Sequence, residues 1–185
     1  MDSVFPSISQ SVGTLLGFQY KYSHLVLVGH SEGGVVIRAV IAYAGSRWLK
    51  GGNRSPALDA RLSLFAPAHM GFVPTSWLGA LVSITGISQL ANIAIGFSTP
   101  ATEMHDKTVL LQLQNTTYEL WREHKDVPAF SAHVLFGSNE HVVLRGYYLQ
   151  DCRHQPEQGK SHTAVCKPSS SYPRPLGFVG GDCPQ

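Results

Sequence analysis

The apolar residues of this chain fall into short runs separated by turn-forming residues, and the period of the runs alternates along the chain. Leu25-Val26-Leu27-Val28 is continuously apolar and rich in valine, the pattern of a strand covered on both faces in a parallel sheet. Leu62 to Phe65, closed by Pro67, and Ala132 to Phe136, closed by Gly137, read as a second and a third strand, with a weaker fourth at Gly146 to Leu149. Val35 to Ala44 is apolar except for Arg38 and reaches Gly45, which predicts a largely buried helix with a glycine stop. Asp106 to Lys125 carries Val109, Leu110, Leu113, Leu120 and Trp121 at helical spacing and predicts a longer helix leading into the third strand. Val12, Leu15 and Leu16 predict a short helix over 12–18, ahead of the first strand. Alternating helix and strand without an internal repeat defines the α/β class.

Between Arg61 and Glu103 no Asp, Glu, Lys or Arg intervenes. A membrane span is not expected there, because Pro74, Gly79, Gly86, Gln89, Asn92 and Gly96 interrupt the roughly twenty solidly apolar residues that a spanning helix requires. The segment reads instead as a pair of short helices in an insertion over about 68–128, whose apolar faces close over something. Beyond Pro168 the Ser-, Pro- and Gly-rich tail reads as surface.

Composition narrows the classes. At 185 residues, 43% hydrophobic and 14% charged, the chain can bury a core and is unlike a disordered segment. Its net charge of +2 comes from 14 Lys and Arg against 12 Asp and Glu without a basic run, so nucleic acid is not an expected partner. Met1 to Gln10 lacks the basic stretch and apolar core of a secretory signal, which points to a cytoplasmic location. Cys152, Cys166 and Cys183 match neither a paired-cysteine zinc site nor a redox motif and read as three ordinary thiols. Nine histidines invite a metal, but no His-Glu-x-x-His occurs, and the chemistry below needs neither metal nor cofactor. The sequons at Asn53 and Asn115 are too short to weigh without a secretory signal.

Gly29-His30-Ser31-Glu32-Gly33 is a Gly-x-Ser-x-Gly pentapeptide followed by Gly34. Its context gives it meaning: it follows an apolar strand directly and precedes a buried helix directly, the strand-turn-helix that the motif requires. So sharp a turn predicts that a side chain at either flanking position, 29 or 33, would collide with strand or helix. Ser31 would then stand at a helix N-terminus, where free amides and the dipole favour a developing negative charge. The competing reading is a glycine-rich connection with a capping serine. Gly159-Lys160-Ser161 is not a phosphate loop, since the first glycine of that motif would fall at His154. His69, after the second strand, reads as a packed loop histidine.

On Leu25 to Arg38, with its Gly-His-Ser-x-Gly-Gly elbow, the chain resembles the α/β-hydrolase superfamily, specifically its lipase-like serine esterases. The resemblance implies a nucleophile, acid, histidine order along the chain. Gly137-Ser138-Asn139-Glu140-His141-Val142-Val143 looks like the family's Gly-x-x-acid-x-Val-Val turn, with Glu140 where Asp is usual. Gly159 to Pro168 is similar to its Gly-x-x-His loop and places His162. The His-x-x-x-Cys-Lys ending resembles the branch of GPI inositol-deacylase-like lipid esterases. The implied triad is Ser31, Glu140 and His162, with the amide of Glu32 in the oxyanion hole; Asp151 and Asp126 stay open as acids, and His154 and His141 as histidines. A serine hydroxyl needs an imidazole to take its proton, and the imidazole needs a carboxylate to fix its tautomer.

The implied substrate is a small-molecule or lipid ester with an apolar acyl group, met through the lid, which could also touch a lipid surface. Peptidase, thioesterase and haloperoxidase chemistry share this fold, and a non-catalytic remnant that binds a partner is the rival from another class. The resemblance also implies an absence. The first strand begins at Leu25 and no His-Gly dipeptide occurs, so the early strands and the second oxyanion donor of the family are not found, as in an N-terminally truncated domain over 1–185. Losing one such donor costs about 100-fold in rate, so weak activity is expected unless a partner chain completes the sheet.

Overall fold

The computed structural model describes residues 24–73 and 107–181. The elements in chain order are β1 (Val26–His30), α1 (Glu32–Leu49), β2 (Arg61–Phe65), α2 (Lys107–Glu123), β3 (Ala132–Leu135), β4 (Gly137–Asn139), β5 (Cys152–Arg153), β6 (Glu157–Ser161) and α3 (Arg174–Gly180). Four strands form a parallel sheet in the order β1-β2-β3-β5, with His30 opposite Phe65 and His133 opposite Cys152. β4 and β6 form a second, parallel pair. Only one residue separates β3 from β4, so the strand runs on past the main sheet and exchanges its partners for β6. This mixed, mostly parallel α/β architecture follows from apolar runs whose alternate side chains are needed on two faces.

Leu62, Leu64, Ala132 and Val134 are buried, and Leu64 faces α1, where a Cβ on Gly34 would lie 3.7 Å from its Cδ2. Beyond Glu32, the buried positions of α1 recur three or four apart, at Gly34, Val35, Arg38, Ala39, Ile41, Ala42 and Gly45, and α2 packs against that helix, with Leu120 Cδ1 3.2 Å from where a Cβ on Gly45 would lie. The opposite face of the sheet carries Phe65, His133 and His154, and Phe178 of α3 covers them with ring contacts of 4.7, 6.5 and 4.8 Å.

Arg38 is fully buried inside the apolar stripe, which only a partner makes tolerable. Its Nη2 donates to Asp151 Oδ2 at 2.6 Å, and its guanidinium lies 4.2 Å from the Tyr148 ring centroid. The Asp151 carboxylate also accepts from the amides of Ala132 (3.2 Å) and Tyr148 (3.0 Å), tying α1, β3 and the loop before β5 into one knot.

Several expectations change. The helix over 35–44 is longer, 32–49, because Gly45 is a packing position: a Cβ there would meet the Phe130 ring at 2.8 Å. The chain turns instead at Gly51, with φ 86°. No strand forms over 146–149, where the Tyr148 amide is drawn to Asp151 and the Asp151 amide to Tyr148. The fourth strand of the sheet is β5. The tail is not all surface, since Tyr172 and Phe178 are buried and Arg61 Nη1 donates to the Gly181 carbonyl at 2.6 Å. Cys152 is disulfide-bonded, not an ordinary thiol, because spacing along the chain does not report which thiols the fold brings together; Cys166 is free. The expected helix over 12–18 and the central part of the insertion lie outside the described residues. No helix among the described residues is long and apolar enough to cross a membrane.

Candidate active site

Every sequence-predicted site residue lies beyond the carboxyl ends of the parallel strands, where open α/β sheets form their crevices. Ser31 occupies the single position between β1 and α1, with φ 55° and ψ −124°. A non-glycine residue there is strained and persists only when its surroundings fix it. Here its amide donates to the Phe65 carbonyl at 3.0 Å, and its carbonyl accepts from the amides of Gly34 (3.1 Å) and Ala68 (3.0 Å). The Ser31 side chain makes no capping bond to α1, so the capping-serine reading is not realised. Among the described residues the hydroxyl has no hydrogen-bond partner, and no backbone carbonyl takes the Glu32 amide.

The flanking glycines divide differently from the expectation. A Cβ on Gly29 would lie 2.9 Å from Ile37 Cδ1 and 3.0 Å from the Gly34 backbone, so the first glycine is required. A Cβ on Gly33 would meet nothing within 4 Å, whereas one on Gly34 would meet Pro67 Cβ at 2.8 Å. The second crowded position is therefore Gly34, pressed against the loop after β2, and Gly33 is sterically free.

The β4–β6 pair delivers the other two residues. Asn139 is in register with Ser161, and the next residue on each strand is Glu140 and His162. Their close approach depends on Gly137, where a Cβ would lie 2.1 Å from the Lys160 carbonyl oxygen. His162 Nδ1 sits 2.9 and 3.0 Å from the two Glu140 oxygens, and Glu140 Oε1 also accepts from the amides of Val142 (2.9 Å) and Val143 (3.1 Å). Both side chains are buried, at 5% exposure for His162 and 0% for Glu140. Burial alone would push the Glu140 carboxyl up, but the His162 bond and the two amides outweigh it and hold it below the ordinary carboxylate range. A carboxylate facing Nδ1 fixes the proton there and leaves Nε2 with a free lone pair, the tautomer a general base needs.

His30, the residue before Ser31, was not singled out by sequence reasoning, although its place inside the motif was a signal. Its Nε2–H donates to the His162 carbonyl at 2.8 Å, and the two rings lie 4.7 Å apart. Burial, against that hydrogen bond, lowers the His30 pKa, which favours the neutral ring. His30 thus links the elbow to the histidine loop. Beside it, burial raises the Glu32 carboxyl pKa, and Glu32 Oε1 is buried with no hydrogen-bond partner among the described residues.

The competing residues have other positions. Asp151 is held by Arg38 and two amides, Asp126 is exposed after α2, His141 is exposed, and His154 contacts His133 at 3.2 Å. His69 is packed, as expected, with Nε2–H donating to the Gly146 carbonyl at 2.9 Å and its ring stacked on Tyr148.

The structure therefore joins Glu140 to His162 directly and His162 to the elbow through His30, while the Ser31 hydroxyl makes no hydrogen bond to His162. No protein-family model, curated protein or solved structure matches the chain.

Proposed function

We propose that the chain is a serine hydrolase of carboxylic esters, built as the second half of an α/β-hydrolase domain with a lid insertion over about 68–128. Ser31 is the nucleophile, His162 Nε2 its general base and then the acid to the leaving alcohol, and Glu140 the carboxylate that orients His162 and stabilises its imidazolium. The Glu32 amide, at the helix N-terminus, stabilises the oxyanion. The uncharged stretch of the lid suits an apolar acyl group. One observation carries the reading: a buried carboxylate–imidazole pair, Glu140 on His162 Nδ1, is tethered by the His162 carbonyl to His30, the residue preceding a strained, uncapped serine. Neither a capping serine nor a solvated loop carboxylate explains that arrangement. Turnover requires Ser31 Oγ to reach His162 Nε2, a hydrogen bond that often tightens only with substrate present.

Hydrolysis of a graded series of chromogenic acyl esters tests the proposal. Slow turnover favouring longer acyl chains, lost in Ser31→Ala and in His162→Ala, is the expected result. Turnover unchanged in Ser31→Ala would reject it, and a folded chain that binds esters without cleaving them would support the non-catalytic binding module.

A further inference from the structure

Away from the candidate active site, strand pairing gathers three metal-ligating side chains. The β3–β5 register sets His133 opposite Cys152, and the two-residue period puts His154 on the same face as Cys152. His133 Nδ1 lies 3.2 Å from His154 Nε2, and Cys152 Sγ lies 3.5 Å from that same nitrogen. Zinc–nitrogen and zinc–sulfur bonds of about 2.1 and about 2.3 Å at tetrahedral angles place two nitrogens about 3.4 Å apart, and nitrogen and sulfur about 3.6 Å apart. Two edges of the triangle are already close to those lengths, slightly shorter in each case, and all three donor atoms lie within 4.8 Å of one another. Phe178 covers His154 from one side, 4.8 Å between centroids. The charge of nearby Arg174 is balanced by Glu157, Nε to Oε1 3.1 Å. In the structure Cys152 is disulfide-bonded, so its sulfur carries no thiolate to offer.

We propose that His133, Cys152 and His154 form a zinc site that opens when the Cys152 disulfide is reduced, so that the same sulfur serves as a covalent staple when oxidised and as a metal ligand when reduced. Two equivalents of a small-molecule thiol supply two electrons and two protons to the disulfide and leave as their own disulfide. On binding Zn²⁺, Cys152 releases its thiol proton, and the imidazole whose N–H faces its neighbour moves that proton to its other ring nitrogen. The metal then holds β5 to β3 across the register that those residues define. This site is separate from Ser31, Glu140 and His162, so it stands independently of the proposed hydrolase activity.

Cobalt(II) titration of the full chain reads the site directly, because a thiolate ligand produces a near-ultraviolet charge-transfer band and tetrahedral geometry intense visible bands. The expected result is one equivalent bound after phosphine reduction and none before, with affinity falling at least about tenfold in His154→Ala and the charge-transfer band lost in Cys152→Ser. The band should persist in Cys166→Ser. If circular dichroism shows His154→Ala to be unfolded, His133→Asn replaces it. Equal binding before and after reduction, no thiolate band in the folded reduced chain, or a band that survives Cys152→Ser would each overturn the proposal.

Discussion

Ser31 holds a backbone conformation that glycine adopts readily and serine does not, at a cost of about 1–3 kcal/mol. If the hydroxyl is the reason for that cost, removing the side chain should stabilise the fold while ending activity. Ser31→Gly is accordingly expected to exceed Ser31→Ala in stability by about 1 kcal/mol in urea unfolding, both being inactive; equal stabilities would mean the strain is not as described. At the neighbouring pair, Glu140→Gln keeps the size of the side chain and removes the charge that fixes the His162 tautomer. Ester turnover should fall about 10⁴-fold, with substrate affinity little changed. A small loss would move the orienting role elsewhere. The place of Ser31 between strand and helix and the nearness of Glu140 to His162 were legible in the sequence, because the elbow is local and the turns after Gly137 and Gly159 carry glycines at fixed offsets. His30 showed only as a member of the elbow motif, since its bond to the His162 carbonyl spans 132 positions and could not be read from the chain.

Among the elements, α1 makes the sharpest contrast. A motif reading treats 29 and 33 as the glycine positions, but the crowded neighbour of the second is Gly34 against Pro67. Gly33→Ala should therefore hold or raise the melting temperature, through helix propensity worth up to about 1 kcal/mol. Gly34→Ala should lower stability by about 1–3 kcal/mol through overpacking against the loop after β2. The reverse order in thermal unfolding would refute this assignment. Legibility at this scale followed apolar content. β2, β3 and the two long helices show in the sequence because each buries a continuous run or a stripe, and β1 because its run is apolar, although the strand is not covered on both faces as expected and Val28 is exposed. β6 reads Glu-Gln-Gly-Lys-Ser and β5 has only two residues, so neither has a hydrophobic period, although their pairing with β4 and β3 builds the site and the histidine–cysteine cluster. Gly45 misled as a stop because close approach to Phe130 demands the same residue type.

For the whole molecule, the buried polar groups set the response to acid. Burial, reinforced by the Arg38 charge, lowers His69 to a pKa of about 4, against 6.5 unperturbed. The unfolded chain binds that proton more readily, so this part of the stability is complete above pH 6.5 and is lost as pH falls toward 4, by roughly 3 kcal/mol. Glu140, also held low, adds a loss at more acidic pH, as pH falls below the ordinary carboxylate value through its depressed one. Urea unfolding between pH 7 and 4 should show a steep fall that flattens in His69→Gln; an unchanged slope would contradict this account. Among the described residues β1 is an edge strand of the sheet, with Val28 51% exposed. Activation of the strained Ser31 as a nucleophile can be tested without full turnover. A fluorophosphonate probe should label the folded chain at Ser31, identified by peptide mass spectrometry, with labelling lost in Ser31→Ala and strongly slowed in His162→Ala. A folded chain that takes up no probe, or takes it up on another residue, would contradict the claim.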